Sequence, residues 1–107
     1  MAACRRAGGR IVAFKKGPDF IDPGWLAVAA GHPCFNLDPY LMTAEMIRGS
    51  FVRRSRGFDL AVIEGNRGLY DGVNAAGTYS TAELAKELGA PVLLILDTTK
   101  MTRTAAA

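Results

Sequence analysis

Three short, nearly unbroken apolar runs constrain this chain more than any other feature: Arg10 to Phe14 (RIVAF), Phe58 to Glu64 (FDLAVIE) and Pro91 to Asp97 (PVLLILD). A strand with one wet face alternates apolar and polar residues, whereas a strand covered on both faces does not. The runs therefore predict strands of a parallel sheet buried on both sides, with helices between them. Thr43 can cap a helix through about Arg54, with Met46, Ile47 and Phe51 inward and Arg48, Arg53 and Arg54 outward; Gly57 ends it before the second run. Ser80-Thr81-Ala82-Glu83 reads as a capping box, in which the serine hydroxyl and the glutamate carboxylate each satisfy a backbone N–H. Leu84 and Leu88 then share a face, Gly89 stops the helix, and Ala90-Pro91 leads into the third run. Residues 1–9 read as the last turns of another helix, closed by Gly8-Gly9. The alternation predicts an α/β layer with right-handed crossovers.

A chain of 107 residues, half of them hydrophobic and 21% charged, is one modest domain with enough apolar material for a core, which excludes a multidomain machine and a disordered chain. Thirteen Lys and Arg against ten Asp and Glu leave +3. That mild excess favours an anionic ligand without implying nucleic acid. The densest basic stretch, Arg53-Arg54-Ser55-Arg56, reads better as a solvated helix face than as a basic arm. Cys4 and Cys34 show no CxxC spacing, and with a single histidine they cannot complete a zinc site. A reduced, cytoplasmic setting is expected. His32, in Gly31-His32-Pro33, reads as a turn residue with no nucleophile partner. No signal-peptide apolar region is visible, and the longest apolar run, Ala90 to Leu96, is far short of a membrane span. The uncapped Met-Thr-Arg-Thr-Ala-Ala-Ala end and the opening helix tail lead us to expect truncation at both termini.

Acidic residues follow the runs: Asp19 and Asp22 after the first, Glu64 at the end of the second, Asp97 at the end of the third. In an open parallel sheet the carboxyl ends of the strands share one edge, and ligands bind outside it. Four carboxylates meeting there would repel one another, and a hard, oxygen-liking ion such as Mg2+ would relieve that. Lys15 and Lys16 fall immediately after the first run, where an ammonium either neutralises a phosphate or carboxylate or is merely solvated. Asp22-Pro23-Gly24 is also a turn and helix-start signal. Gly65, Gly68 and Gly72 flank Asn66, Arg67 and Asp71 in a loop whose glycines permit close backbone approach to a ligand, although such loops are often only loops.

Phe14-Lys15-Lys16-Gly17-Pro18-Asp19-Phe20-Ile21-Asp22-Pro23-Gly24 resembles the FKxGPDYIDPG signature of the cobyrinate a,c-diamide synthases. Asn36-Leu37-Asp38 with Leu41-Met42 is similar to their NLDxxLM segment, and Ile63-Glu64-Gly65 through Gly68-Leu69-Tyr70-Asp71-Gly72 to their IEGxxGLxDG loop. Ser80 through Val92 resembles STAELAKxLGAPV, and Asp97 with Met101 to Ala107 resembles VDxxxMxRSAAA. The likeness spans residues 1–107. The GPDxIDPG string separates this family from cobyric acid synthases and from dethiobiotin synthetase; the nickel-sirohydrochlorin a,c-diamide synthases share it.

The resemblance implies a cytoplasmic, ATP- and glutamine-dependent amidoligase of cobalamin biosynthesis, whose substrate is a cobyrinate-type tetrapyrrole. Its synthetase domain would be a P-loop NTPase-like, dethiobiotin synthetase-like α/β unit, with a glutaminase domain as the partner supplying ammonia. By the same likeness, Asp19 and Asp22 line the substrate and metal edge, Glu64 and Asp19 hold Mg2+, and Asp71 assists at the reacting carboxylate. Lys15 contacts a phosphate of ATP, with Gly65 in the loop that approaches the nucleotide. No G-x-x-x-x-G-K-[ST] phosphate loop occurs in residues 1–107. The resemblance therefore makes residues 1–107 part of the synthetase domain, inactive alone; a non-catalytic corrinoid- or nucleotide-binding remnant is the alternative. Lys16 stands where many relatives carry a small or apolar residue, and Phe20 replaces a common tyrosine. Exposed strand edges would invite pairing with a partner, a second copy of the chain included.

Overall fold

A computed structural model describes residues 1–103; residues 104–107 of the Met101–Ala107 stretch lie outside the described residues. The elements are α1 (Ala2–Arg6), β1 (Ile11–Lys16), α2 (Asp22–Ala30), β2 (Phe35–Leu37), α3 (Ala44–Ser55), β3 (Leu60–Glu64) and α4 (Thr81–Leu88). Three strands form one parallel sheet in the order β2-β1-β3. β1 is central and buried along its whole length, as its unbroken apolar run predicts. It continues two residues beyond the expected end, because its neighbours continue: Lys15 is in register with Glu64, and Lys16 with Leu37. The two lysines are thus buried strand residues, not solvated residues after a strand.

Strand alternation divides β1 between two helix layers. Val12 and Phe14 face α3 and α4, where they join Leu37, Ile47 and Leu84 in the core, with Phe35 and Phe51 packed against it. The Phe14 ring lies 5.2 Å from that of Phe51 and 6.0 Å from that of Phe35, tilted in both cases. Ile11, Ala13 and Lys15 face the other way. On that side α2 packs on β1, and α1 is tied to α2 by Arg5, whose guanidinium donates to the Val28 carbonyl at 3.1 Å.

α3 begins where its cap predicts: the Thr43 hydroxyl accepts from the Met46 amide at 3.2 Å. Ile47 is buried and Phe51 half-buried, but Met46 is exposed, one position round from the buried stripe. Arg48 turns outward to pair with Glu87 of α4, and Arg54 lies over the Phe35 ring at 4.4 Å, so this basic face is solvated and intramolecularly engaged. At α4 only half of the capping box forms. Ser80 Oγ accepts from the Glu83 amide at 3.3 Å, whereas the Ser80 amide donates to the Gly77 carbonyl, leaving the Glu83 carboxylate to Lys86. Gly89 closes the helix in the left-handed conformation, φ 59°.

β3 starts two residues later than its apolar run. Asp59 is held by Arg10 through a backbone hydrogen bond of 2.9 Å and a guanidinium pair of 2.9 and 3.3 Å. α2 and β2 were not expected as elements. Asp-Pro-Gly reads as a turn, yet Pro23 occupies the first turn of α2, where a missing N–H costs nothing.

The third expected strand does not form: Pro91–Asp97 is irregular and exposed, with Leu93 and Ile95 at 88% and 86% accessibility. A strand exists only through its neighbour's hydrogen bonds. Both edges of β1 are taken by β2 and β3, and no ladder joins the run to either outer strand among the described residues.

Candidate functional site

The carboxyl end of β1 brings together side chains from three parts of the sequence. Glu64 is the register partner of Lys15 across the parallel ladder, so both side chains leave the sheet on the same face. That face is the one α2 covers, which places Asp22, its first residue, and Asp19, just ahead of it, over Lys15. Lys15 Nζ lies 3.1 Å from Glu64 Oε2, 3.1 Å from Asp22 Oδ2 and 4.0 Å from Asp19 Oδ2, and donates to the Gly65 carbonyl at 3.2 Å. Burial pulls the ammonium toward its neutral form. The hydrogen bonds and charges of Glu64 and Asp22 together outweigh that, and the group sits above the usual lysine value.

The loop carrying Asp19 is pinned by Asn36, a residue the sequence marks only through the family likeness of its segment. Asn36 Nδ2 donates to both the Gly17 and Asp19 carbonyls at 2.7 Å. Its one visible signal was a carboxamide inside an apolar triplet, Phe35-Asn36-Leu37. Gly17 makes the turn with φ +84°, a conformation that costs a Cβ-bearing residue, while its amide donates to the Leu37 carbonyl. Asp19 Oδ1 accepts from the Ile21 amide at 2.8 Å, and this bond holds its carboxyl below the usual aspartate range, with smaller help from Asp22 and Lys15.

Gly65 leaves β3 against α4. A Cβ there would stand 2.6 Å from Thr81 Cγ2, and the neighbouring Asn66 amide donates to Thr81 Oγ1 at 3.3 Å. Beyond it the loop folds away, so Asp71 does not join the Lys15 cluster. Its Oδ2 accepts from the Gly68 amide at 3.1 Å, and it lines a separate cavity of about 650 Å³ with Lys16, Asp38, Asn66, Arg67 and Tyr70. Tyr79, on the same wall, has φ 61° and meets the Tyr40 ring edge-on at 5.9 Å. Asp97, expected as a fourth carboxylate of the edge, caps its own turn by accepting from the Thr99 amide at 3.0 Å and makes no contact with the cluster. His32 is packed edge-on against Phe58 at 4.6 Å, and both cysteines are free. Among the described residues, no helix is long and apolar enough to cross a membrane.

Acids thus converge on a buried lysine within segments whose order and spacing carry the family likeness. Comparison with known proteins agrees with that likeness. The chain is 49% identical over 107 residues to the cobyrinate a,c-diamide synthase of Magnetococcus marinus, covering 99% of this chain and 23% of that protein. It is 45% identical to the enzyme of the same name from Syntrophotalea carbinolica, with the same coverage. The hydrogenobyrinate a,c-diamide synthase of Streptomyces coelicolor is 45% identical over 108 residues, covering all of this chain and 22% of that protein. The chain is a homologue of the a,c-diamide synthases. No protein-family model matches it. This a,c-diamide synthase homologue spans about 23% of the length of the relatives from Magnetococcus and Syntrophotalea.

Chemically, the homologue's edge offers oxygen donors and local negative charge. Three carboxylates around one ammonium leave two negative charges without a cationic partner in the cluster. Among the described residues, no group of three or more His, Cys, Asp or Glu side chains is disposed to hold a metal by itself; Lys15 occupies the point of convergence. The set fits the way Mg2+ is commonly held, by one or two carboxylates together with phosphate oxygens of a substrate.

Proposed function

We propose that this chain forms the carboxylate-activating edge of an ATP- and glutamine-dependent amidoligase acting on the a and c side-chain carboxylates of a cobyrinate-type tetrapyrrole, in cobalamin biosynthesis. The observation that supports this best is the meeting of Asp19, Asp22 and Glu64 on one buried lysine at the carboxyl edge of a parallel sheet. In this reading the sheet belongs to a P-loop NTPase-like, dethiobiotin synthetase-like synthetase domain. A glutaminase domain elsewhere in the protein supplies ammonia.

A carboxylate is a poor electrophile, so direct attack by ammonia is slow; transfer of the γ-phosphoryl of ATP to it creates a leaving group, and ammonia then displaces phosphate to give the amide. Glu64 and Asp19 would hold Mg2+, which when bound would neutralise charge on the phosphates. Lys15, already charged and sheltered, would exchange a carboxylate for a phosphate oxygen without changing protonation state. Asp22 would keep the lysine oriented, Gly65 would let the loop approach the nucleotide, and Asp71 would act at the reacting carboxylate from the cavity side. The names of the relatives divide between cobyrinate and hydrogenobyrinate, and both carry the a and c positions on which this reading depends.

The test is a graft of this chain in place of the matching segment of the Magnetococcus relative. The graft should convert cobyrinate to its diamide with ATP and glutamine, and Glu64→Gln should lower the rate by about 100-fold or more. A folded graft that forms no ADP in the presence of cobyrinate sinks the proposal. The 107 residues alone should show no turnover, since they contain no glycine-lysine phosphate loop to cradle a triphosphate; amidation by the chain alone would refute this.

A further inference from the structure

β1 ends in two buried cations that point to opposite sides of the sheet, and only one of them has a partner. Lys15 is enclosed by carboxylates, whereas Lys16, 8% exposed, makes no hydrogen bond or ion pair among the described residues and lines the cavity of about 650 Å³. The stem of Lys16 is buried in the strand while its ammonium opens on the cavity, a partly desolvated cation that gains most from a counter-charge entering there. Burial holds the ammonium below the usual lysine value, and the charge of Asp38 offsets this only in part.

The cavity's own charges are asymmetric in what they leave free. Asp38 Oδ1 already accepts from the Tyr40 amide at 2.9 Å, and Asp71 Oδ2 from the Gly68 amide at 3.1 Å. Lys16 and Arg67 have no such partner among the described residues. Both acids are tied by one oxygen to the backbone of their own loops, whereas the Lys16 ammonium is unengaged among the described residues and can donate to an oxygen of an entering anion. The volume lies within the range of about 300–1,000 Å³ usual for ligand pockets.

The cavity and the Lys15 cluster are built from the same two loops. The Gly65 carbonyl binds Lys15, while Asn66 and Arg67, next in sequence, line the cavity; Gly17 lines it too and leads to Asp19. A ligand with several carboxylates can therefore engage both sides at once. Resting on the function proposed above, we propose that Lys16 receives a second, non-reacting carboxylate of the substrate and so sets which side chain of the macrocycle reaches the Lys15 edge. Lys16 is then a specificity-determining residue that recognises the polycarboxylate character of the substrate.

Equilibrium dialysis of the graft in the Magnetococcus relative against cobyrinate and against its fully methyl-esterified form tests this, with Lys16→Met and Lys16→Arg beside the parent graft and thermal melts of all three. Loss of one charge-assisted bond should weaken cobyrinate binding by Lys16→Met about 10- to 100-fold, while Lys16→Arg stays within about threefold. The ester should bind weakly to parent and variant alike. Lys16→Met should melt at the same temperature as the parent or higher, since an apolar side chain of similar length keeps the buried stem and removes a cation that makes no bond among the described residues. Unchanged cobyrinate affinity in a folded Lys16→Met overturns the assignment and leaves the proposed function standing. A Lys16→Met melt lowered together with binding makes the lysine structural and overturns it as well. A parent graft that does not retain cobyrinate removes the proposed substrate, and this assignment with it.

Discussion

Asp59 and Arg10 show how much a single residue can decide. The Arg10 side chain, then its backbone amide, hold the Asp59 carboxyl down to about 2, well below the usual aspartate value. A depressed acid contributes stability that is present above its unfolded value and lost as pH falls through the folded one. Asp59→Asn should therefore melt below the parent at neutral pH, with the gap closing between about pH 4 and pH 2; melts across that range check it. Lys15 has the opposite sign. Its raised value means a contribution present at neutral pH and lost only as pH climbs past the ordinary lysine range. Replacing it by methionine leaves three carboxylates facing one another, and added Mg2+ should raise the melting temperature of Lys15→Met more than that of the parent. Equal shifts would contradict the arrangement of the cluster. The identity of Asp19, Asp22 and Glu64 as a group could be foreseen from their places after strands, but Asp97 fell in the same pattern and stands elsewhere. Position after an apolar run is necessary for such a cluster and insufficient for it.

Among elements, α4 separates what a motif names from what it builds. Ser80 is buried and caps the helix, so Ser80→Ala should cost about 1 kcal/mol in denaturant unfolding. Glu83 makes no return bond to Ser80, and Glu83→Gln should stay within about 0.5 kcal/mol of the parent. α1, α3 and α4 were legible because caps, glycines and apolar spacing act within one turn of helix. α2 was not, because its apolar residues ring the helix: Trp25 and Val28 are exposed while Ala30 is buried, so no single stripe appears in the sequence. β2 has three residues, too few for any period to show.

For the whole molecule, the exposed run Pro91–Asp97 is the clearest consequence of assembly. Five consecutive residues, Val92 to Leu96, are exposed with no strand beside them. Such a stretch favours association. Leu93→Lys with Ile95→Lys should change unfolding free energy by less than about 0.5 kcal/mol, since neither side chain is packed, and should shift the chain toward monomer in size-exclusion chromatography. A large loss of stability would mean that the run packs on the sheet in solution.

What the amino-acid order determined by itself was local: where α3 and α4 start and stop, and that the first two apolar runs are strands, because each depends on neighbours a few residues away; burial on both faces held for central β1 and not for edge strand β3, which is exposed at both ends and half-buried between. Tertiary structure alone decided that β1 would reach Lys16, that Lys15 would draw in Glu64 from forty-nine residues on, and that Pro91–Asp97 would stay unpaired. Register and ladder are made by a second strand, and its arrival is a property of the folded sheet that no single segment encodes.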